Sequence, residues 1–141
     1  MAFENPSRDE IKNLLSQTKV IAVVGLSDNR ERISYMVSEA MKKKGYTIVP
    51  VNPKASEILD ETCYPSLSDI PFPIDLVNVF RRSEYTAEIA EEAVRVGAKA
   101  LWLQLGVFNQ EAADIAIEGG LAVIMDRCIK VEDSILLPQG K

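Results

Sequence analysis

The chain has 141 residues, of which 47% are apolar; 16 Lys and Arg stand against 21 Asp and Glu, a net charge of −5. This suits a folded globule rather than a disordered chain, and an acidic surface does not coat nucleic acid, which needs a positive field. The absence of His, with Cys63 and Cys128 far apart, excludes imidazole-based catalysis, His-ligated zinc and Cys-x-x-Cys chemistry.

No apolar run reaches the ~18 residues of a membrane span. The opening MAFENPSRDE lacks the basic and apolar regions of a secretory signal. A reducing, cytoplasmic setting is expected. The length points to one domain over 1–141, with a helical segment over 1–18 and a tail over 129–141.

Ser7 and Glu10 have the spacing of a capping box, and Ile11, Leu14 and Leu15 follow at helical spacing, so residues 7–17 read as a helix. The run KVIAVVG ending at Gly25 reads as a strand buried on both faces, as in a parallel sheet. A polar loop over 26–32 leads to a helix over 34–44, with Met36, Val37, Ala40 and Met41 on its packing face, and Gly45 ends it. A second strand spans 46–51, and the proline-rich stretch 52–73 reads as irregular connection. A third strand over 75–80 leads to a helix over 84–96 that packs through Ala87, Ala90, Ala93 and Val94. A fourth strand over 99–103 precedes a helix from Asn109 to Glu118, stopped by Gly119 and Gly120. A fifth strand spans 121–125, and 126–141 reads as a partly loose tail in which Asp126, Glu132 and Asp133 are solvated. Alternation of this kind predicts an α/β, Rossmann-like, doubly wound five-stranded parallel sheet in three αβα layers, with the strand order expected as 3-2-1-4-5.

Ligands of such sheets bind beyond the carboxyl ends of the strands. Five of the seven Arg (Arg30, Arg32, Arg81, Arg82 and Arg127) fall there, a basic rim suited to a polyanionic ligand. Gly25, Ser27 and Ser34 sit where a strand turns into a helix, either as a plain βα turn or as a phosphate loop. The dinucleotide fingerprint G-x-G-x-x-G is missing, and the place of its ribose-binding acid holds Asn52, Pro53 and Lys54. Lys54 is either solvated or suited to a phosphorylated ribose, as in NADP or coenzyme A. Arg81 and Arg82 are either paired with Glu84, Glu88 or Asp126, or bound to a ligand. Trp102 reads as core, Cys128 as a packed thiol, and no metal-ligand spacing is present.

The segments VIAVVGLSDN, GYTIVPVNPK, VNVFRRSE, LWLQLGV and VIMDRCIKVE, in this order, resemble the small stand-alone CoA-binding proteins. These are similar to the nucleotide-binding domain that begins the succinyl-CoA synthetase α subunit. The resemblance spans about residues 3 to 132 and implies a Rossmann-like domain that binds coenzyme A or an acyl-CoA. By motif, Gly25, Leu26, Ser27 and Ser34 would hold the pyrophosphate. Asn52, Pro53 and Lys54 would lie near the 3′-phosphorylated ribose and adenine. Val79, Arg81 and Arg82 would flank the nucleotide, and Gln104, Leu105 and Gly106 would border the pantetheine exit; Arg30 joins this set from the basic rim. Many relatives carry His where Asp133 follows Glu132, and the synthetase domain bearing a phosphorylated His is missing, so ligase activity does not follow.

A binding module for a small nucleotide, without catalytic or metal-ligating residues, is therefore expected, its protein partner unspecified. The alternatives are an NADP- or CoA-thioester-dependent enzyme and a nucleotide-sensing regulatory subunit.

Overall fold

The computed structural model describes residues 2–140. Helix α1 (Arg8–Gln17) starts at Ser7, whose Oγ accepts from the Glu10 amide at 3.2 Å. The remaining helices are α2 (Ile33–Lys43), α3 (Thr86–Arg95), α4 (Gln110–Glu118) and α5 (Ile129–Leu136). The strands β1 (Val20–Val24), β2 (Thr47–Val51), β5 (Leu76–Val79), β6 (Ala100–Leu103) and β7 (Ala122–Ile124) form one parallel sheet. The short strands β3 (Glu57–Ile58) and β4 (Glu61–Thr62) pair as a separate hairpin.

Alternating side chains feed two cores. On one face Val24, Val77, Leu101 and Leu103 meet the alanines of α3 and α4. On the other, Ile21, Val23, Leu76 and Trp102 meet α1, α2 and α5 through Leu15, Tyr35, Met41 and Ile129. Trp102 is fully buried, and its indole N–H donates to the Arg127 carbonyl at 2.8 Å. The Val94 side chain of α3 packs directly on the end of α4: a Cβ on Gly119 would lie 2.5 Å from Val94 Cγ2. Gly119 thus serves helix packing as well as helix termination. Met36, expected on the packing face of α2, is instead 47% exposed, and Tyr35 and Ser38 turn inward beside Val37 and Met41.

The sheet order is β2-β1-β5-β6-β7, so the expected order, with the third strand outside the second, is wrong. Pro50 explains why. Proline has no N–H to give a neighbouring strand and therefore sits at a sheet edge. The Pro50 carbonyl, on the outward side of β2, accepts from the Tyr64 amide at 3.0 Å, where Tyr64 forms an isolated parallel bridge with Val51. The third strand therefore crosses to the other side of β1. There Asp75 accepts from the Lys19 and Val20 amides at 3.0 and 2.9 Å and faces Lys99 at 3.6 Å.

Partial burial acts to raise the Asp75 pKa, but the Val20 and Lys19 amides and Lys99 outweigh it and hold the carboxyl below its ordinary value. A depressed folded-state pKa contributes stability that is complete above the unfolded value near 3.9 and disappears as pH falls through the folded value. Asp75→Asn is expected to destabilise the protein at neutral pH and to flatten the acid limb of its stability curve, measured by urea unfolding between pH 6 and 2. Parallel curves for the two proteins would contradict this.

The connection 52–73 is less irregular than expected. Leu59 and Asp60 turn the β3–β4 hairpin with φ of 56° and 61°, the left-handed pair of a type I′ turn. The segment after β7 is not a loose tail: it forms α5, with Glu132 and Asp133 buried. Asp133 accepts from Lys44 Nζ at 2.6 Å and from the Tyr46 hydroxyl at 2.5 Å, and Glu132 faces Arg8 at 3.7 Å. The two carboxylates bind α5 to α1, α2 and the start of β2. Among the described residues no helix is long and apolar enough to cross a membrane.

Candidate functional site

With β1 next to β5, the chain leaves β1 for α2 on one face of the sheet and leaves β5 for α3 on the other. The loops part between these strands, and this topological switch point opens a crevice. Gly25 lies at its floor with φ +86°. A Cβ there would lie 2.5 Å from the Phe80 carbonyl oxygen and 3.1 Å from Arg81 Cδ. The position needs glycine both for its left-handed backbone and for the passing β5 chain. Gly25 is thus more than a relaxed βα turn.

The loop above Gly25 is built from its own polar groups. Ser34 Oγ accepts from the Ser27 amide at 3.1 Å, Ser27 Oγ from Asn29 at 3.0 Å, and Asn29 Oδ1 from Glu31 at 2.9 Å. Helix α2 then begins at Arg32 with no side-chain cap and no acid in its first turn. The first amides of a helix have no intrahelical partners and carry the positive end of its dipole. Gly25, Ser27, Glu31, Arg32, Ser34 and Asn52 line an open recess of about 490 Å³ in front of them. It joins, through Gly25, Arg32 and Asn52, a larger cleft of about 920 Å³ that Lys54, Arg81 and Arg82 also line.

None of Arg32, Lys54, Arg81 or Arg82 pairs with a carboxylate among the described residues, whose ion pairs involve other cations. Glu84, Glu88 and Asp126 do not neutralise the arginine pair. The Arg81 guanidinium instead lies 4.7 Å from the centre of the Tyr85 ring, a stacking that leaves its edge donors free. The basic rim is narrower than its sequence suggested. Arg30 lines a neighbouring groove between α2 and the β3–β4 hairpin, among Asp28, Glu39, Glu57 and Asp60. Arg127 borders a third groove beside the N-terminal segment. Arg32, not Arg30, faces the central cleft.

Several candidates are buried or already engaged by other residues. Leu26 and Val79 are fully buried and offer no surface to a ligand; they support the crevice from beneath. The Asn52 amide is already engaged: Nδ2 donates to the Leu26 carbonyl at 3.0 Å, and Oδ1 accepts from the Lys54 amide at 2.8 Å. Asn52 therefore ties the loops after β1 and β2 together and orients Lys54. Cys63 supports it from below, its thiol donating to the Asn52 carbonyl at 3.4 Å. Burial raises the Cys63 pKa above its ordinary value.

Pro53 lies exposed in the cleft wall. Gln104 is buried and donates to Asn78 Oδ1 at 2.8 Å. Leu105 is 71% exposed, and the neighbouring Gly106 amide is held by Asp126 Oδ1 at 2.7 Å. These last residues follow β6, apart from the linings of the central cleft.

Sequence reasoning missed Pro65, Ser66, Ile89 and Glu92, which complete the cleft wall. Pro65 and Ser66 belong to the connection that returns along β2, and Ile89 and Glu92 to α3. Only the fold brings them to the carboxyl edge.

Residues 19–134 match the family described as CoA binding domain. A Bacillus subtilis protein of uncharacterised function, YneT, is 50% identical over 133 residues, 94% of this chain and 98% of its own. An ADP-forming acetate–CoA ligase of Methanocaldococcus jannaschii is 27% identical over 120 residues, 85% of this chain and 17% of the ligase. A hypothetical protein from Pyrococcus horikoshii superposes with a TM-score of 0.91 at 38% identity, covering 97% of this chain and 99% of that one.

Proposed function

The chain belongs to the CoA-binding domain family, and from that premise we propose that it binds coenzyme A or an acyl-CoA at the β1/β5 switch point, as a binding module without catalysis of its own. The observation that carries this reading is the convergence of Arg32, Arg81, Arg82 and Lys54, free of carboxylate partners, on the glycine floor and uncapped amides before α2. In a protein of net charge −5, such a concentration of donors favours a ligand bearing several phosphates.

The pyrophosphate lies over Gly25 and against the first turn of α2, where amides and the helix dipole meet it. The 3′-phosphate of the ribose faces Lys54, which Asn52 orients. The pantetheine arm leaves past Leu105 and Gly106. A family member lacking His has no imidazole to carry a phosphoryl group, so the ligase chemistry of the larger relatives does not transfer to it.

Calorimetric titration with coenzyme A is expected to give one site with a dissociation constant in the micromolar range. Absence of heat and of a thermal shift at millimolar ligand would remove the reading. Lys54→Ala is expected to weaken coenzyme A by roughly tenfold, the scale of one solvent-exposed charged contact, and to leave dephospho-CoA nearly unchanged. Equal weakening of both ligands would take Lys54 away from the 3′-phosphate.

A further inference from the structure

Glu92 is out of place in a cleft made to attract phosphates. It projects from α3 into the same wall as Arg82, yet pairs with no cation among the described residues. Its carboxylate is aimed by Ser68, whose amide and hydroxyl both donate to Oε2 at 3.2 and 2.9 Å. That leaves Oε1 without a protein partner in the hydrogen bonds of the described residues. Val51, Pro53, Pro65 and Ile89 line the same cleft and give it apolar surface.

A slot with apolar walls and a fixed acceptor fits a flat ring that carries a hydrogen-bond donor on its edge. We propose that Glu92 is a specificity-determining residue that reads the exocyclic 6-amino group of a purine, and so selects adenine over 6-oxo purines. This rests on the reading of the cleft as a coenzyme A site. Adenine presents an N–H donor at position 6, whereas hypoxanthine and guanine present a carbonyl oxygen. Against a carboxylate the first forms a charge-assisted hydrogen bond and the second meets repulsion. The same charge fixes the direction of binding, because it repels phosphate from this end and leaves the phosphates to Lys54, Arg32 and the arginine pair.

The test titrates the wild type, Glu92→Ala and Glu92→Gln with coenzyme A and with its 6-deaminated, hypoxanthine-bearing counterpart. The wild type is expected to prefer coenzyme A by roughly tenfold, the scale of one hydrogen bond to a charged group. Glu92→Ala should bring the ratio to about one, by weakening coenzyme A and by relieving the repulsion of its deaminated counterpart. Glu92→Gln retains an acceptor for Ser68 and offers an amide donor, so it should reduce or invert the preference.

Equal wild-type affinity for the two ligands would overturn the proposal, as would an unchanged ratio in both variants, which is the result if the carboxylate meets a sugar hydroxyl. Those outcomes leave coenzyme A binding intact and so separate from failure of the underlying reading, in which the wild type binds neither ligand.

Discussion

Gly25→Ala is expected to abolish coenzyme A binding and to lower the melting temperature by roughly 4–20 °C. Two independent costs fall on the same atom. Holding an L-residue at φ +86° costs about 1–2 kcal/mol. The new methyl also stands 2.5 Å from the Phe80 carbonyl oxygen. That neighbour is backbone, so no rotamer relieves the contact, and overpacking of this kind costs about 1–3 kcal/mol more. For a chain of this length the sum converts to the stated shift at about 2–4 °C per kcal/mol. Relief can come only by spreading β1 from β5, which moves the α2 amides away from the arginine pair. Differential scanning calorimetry with and without coenzyme A measures both effects. A variant that melts and binds like the wild type would show that the floor of the crevice is not what organises the site.

Asp133→Ala should be the most damaging substitution away from the cleft. Asp133 is 1% exposed and holds Lys44 Nζ at 2.6 Å and the Tyr46 hydroxyl at 2.5 Å. Burial first, and then the carboxylate beside it, push the Tyr46 phenol far above its ordinary pKa, so it remains a donor through the alkaline range. Removing Asp133 leaves the Lys44 ammonium without its counter-charge, a change that costs about 3–5 kcal/mol when both partners are fully buried. The Lys44 side chain is 27% exposed, so water offsets part of this, and about 2–4 kcal/mol is expected. Tyr46→Phe, which removes the hydroxyl that donates to Asp133 and also reaches the Leu15 carbonyl at 3.4 Å but leaves the ion pair, should cost about 1.5–3 kcal/mol. Urea unfolding reads both. A loss below 1 kcal/mol for Asp133→Ala would mean that α5 is held by its apolar face alone. Coenzyme A affinity measured well below the unfolding transition should change little, because the cluster lies at the start of β2 and the cleft lies beyond its end.

Much of this molecule was legible in its residues for a local reason. Buried parallel strands declare themselves as unbroken Val, Ile and Leu runs, and the helices between them by apolar spacing and caps such as Ser7 and Asn109, so the alternation and the five strands needed no tertiary knowledge. Gly25, Ser27, Ser34, Lys54, Arg81 and Arg82 could be nominated because the ends of such strands are where ligands bind. The β3–β4 hairpin escaped notice because Leu59-Asp60 lacks the Gly or Asn that usually marks a type I′ turn. Helix α5 escaped because its acidic residues read as solvated, whereas their partners Arg8, Lys44 and Tyr46 are remote in sequence.

Strand order was a different matter: one signal, Pro50, bore on it and went unread. The choice of Arg32 over Arg30, the engagement of Asn52 by Leu26 and Lys54, and the arrival of Pro65, Ile89 and Glu92 in one wall had no local signal. Hydrophobic periodicity and helix caps act between residues a few positions apart, so local pattern was enough to specify the five parallel strands and helices α1 to α4. Which side chains share a cleft depends on the crossing of the third strand over the first and on which face each helix takes, and those are set by contacts between residues remote in the chain.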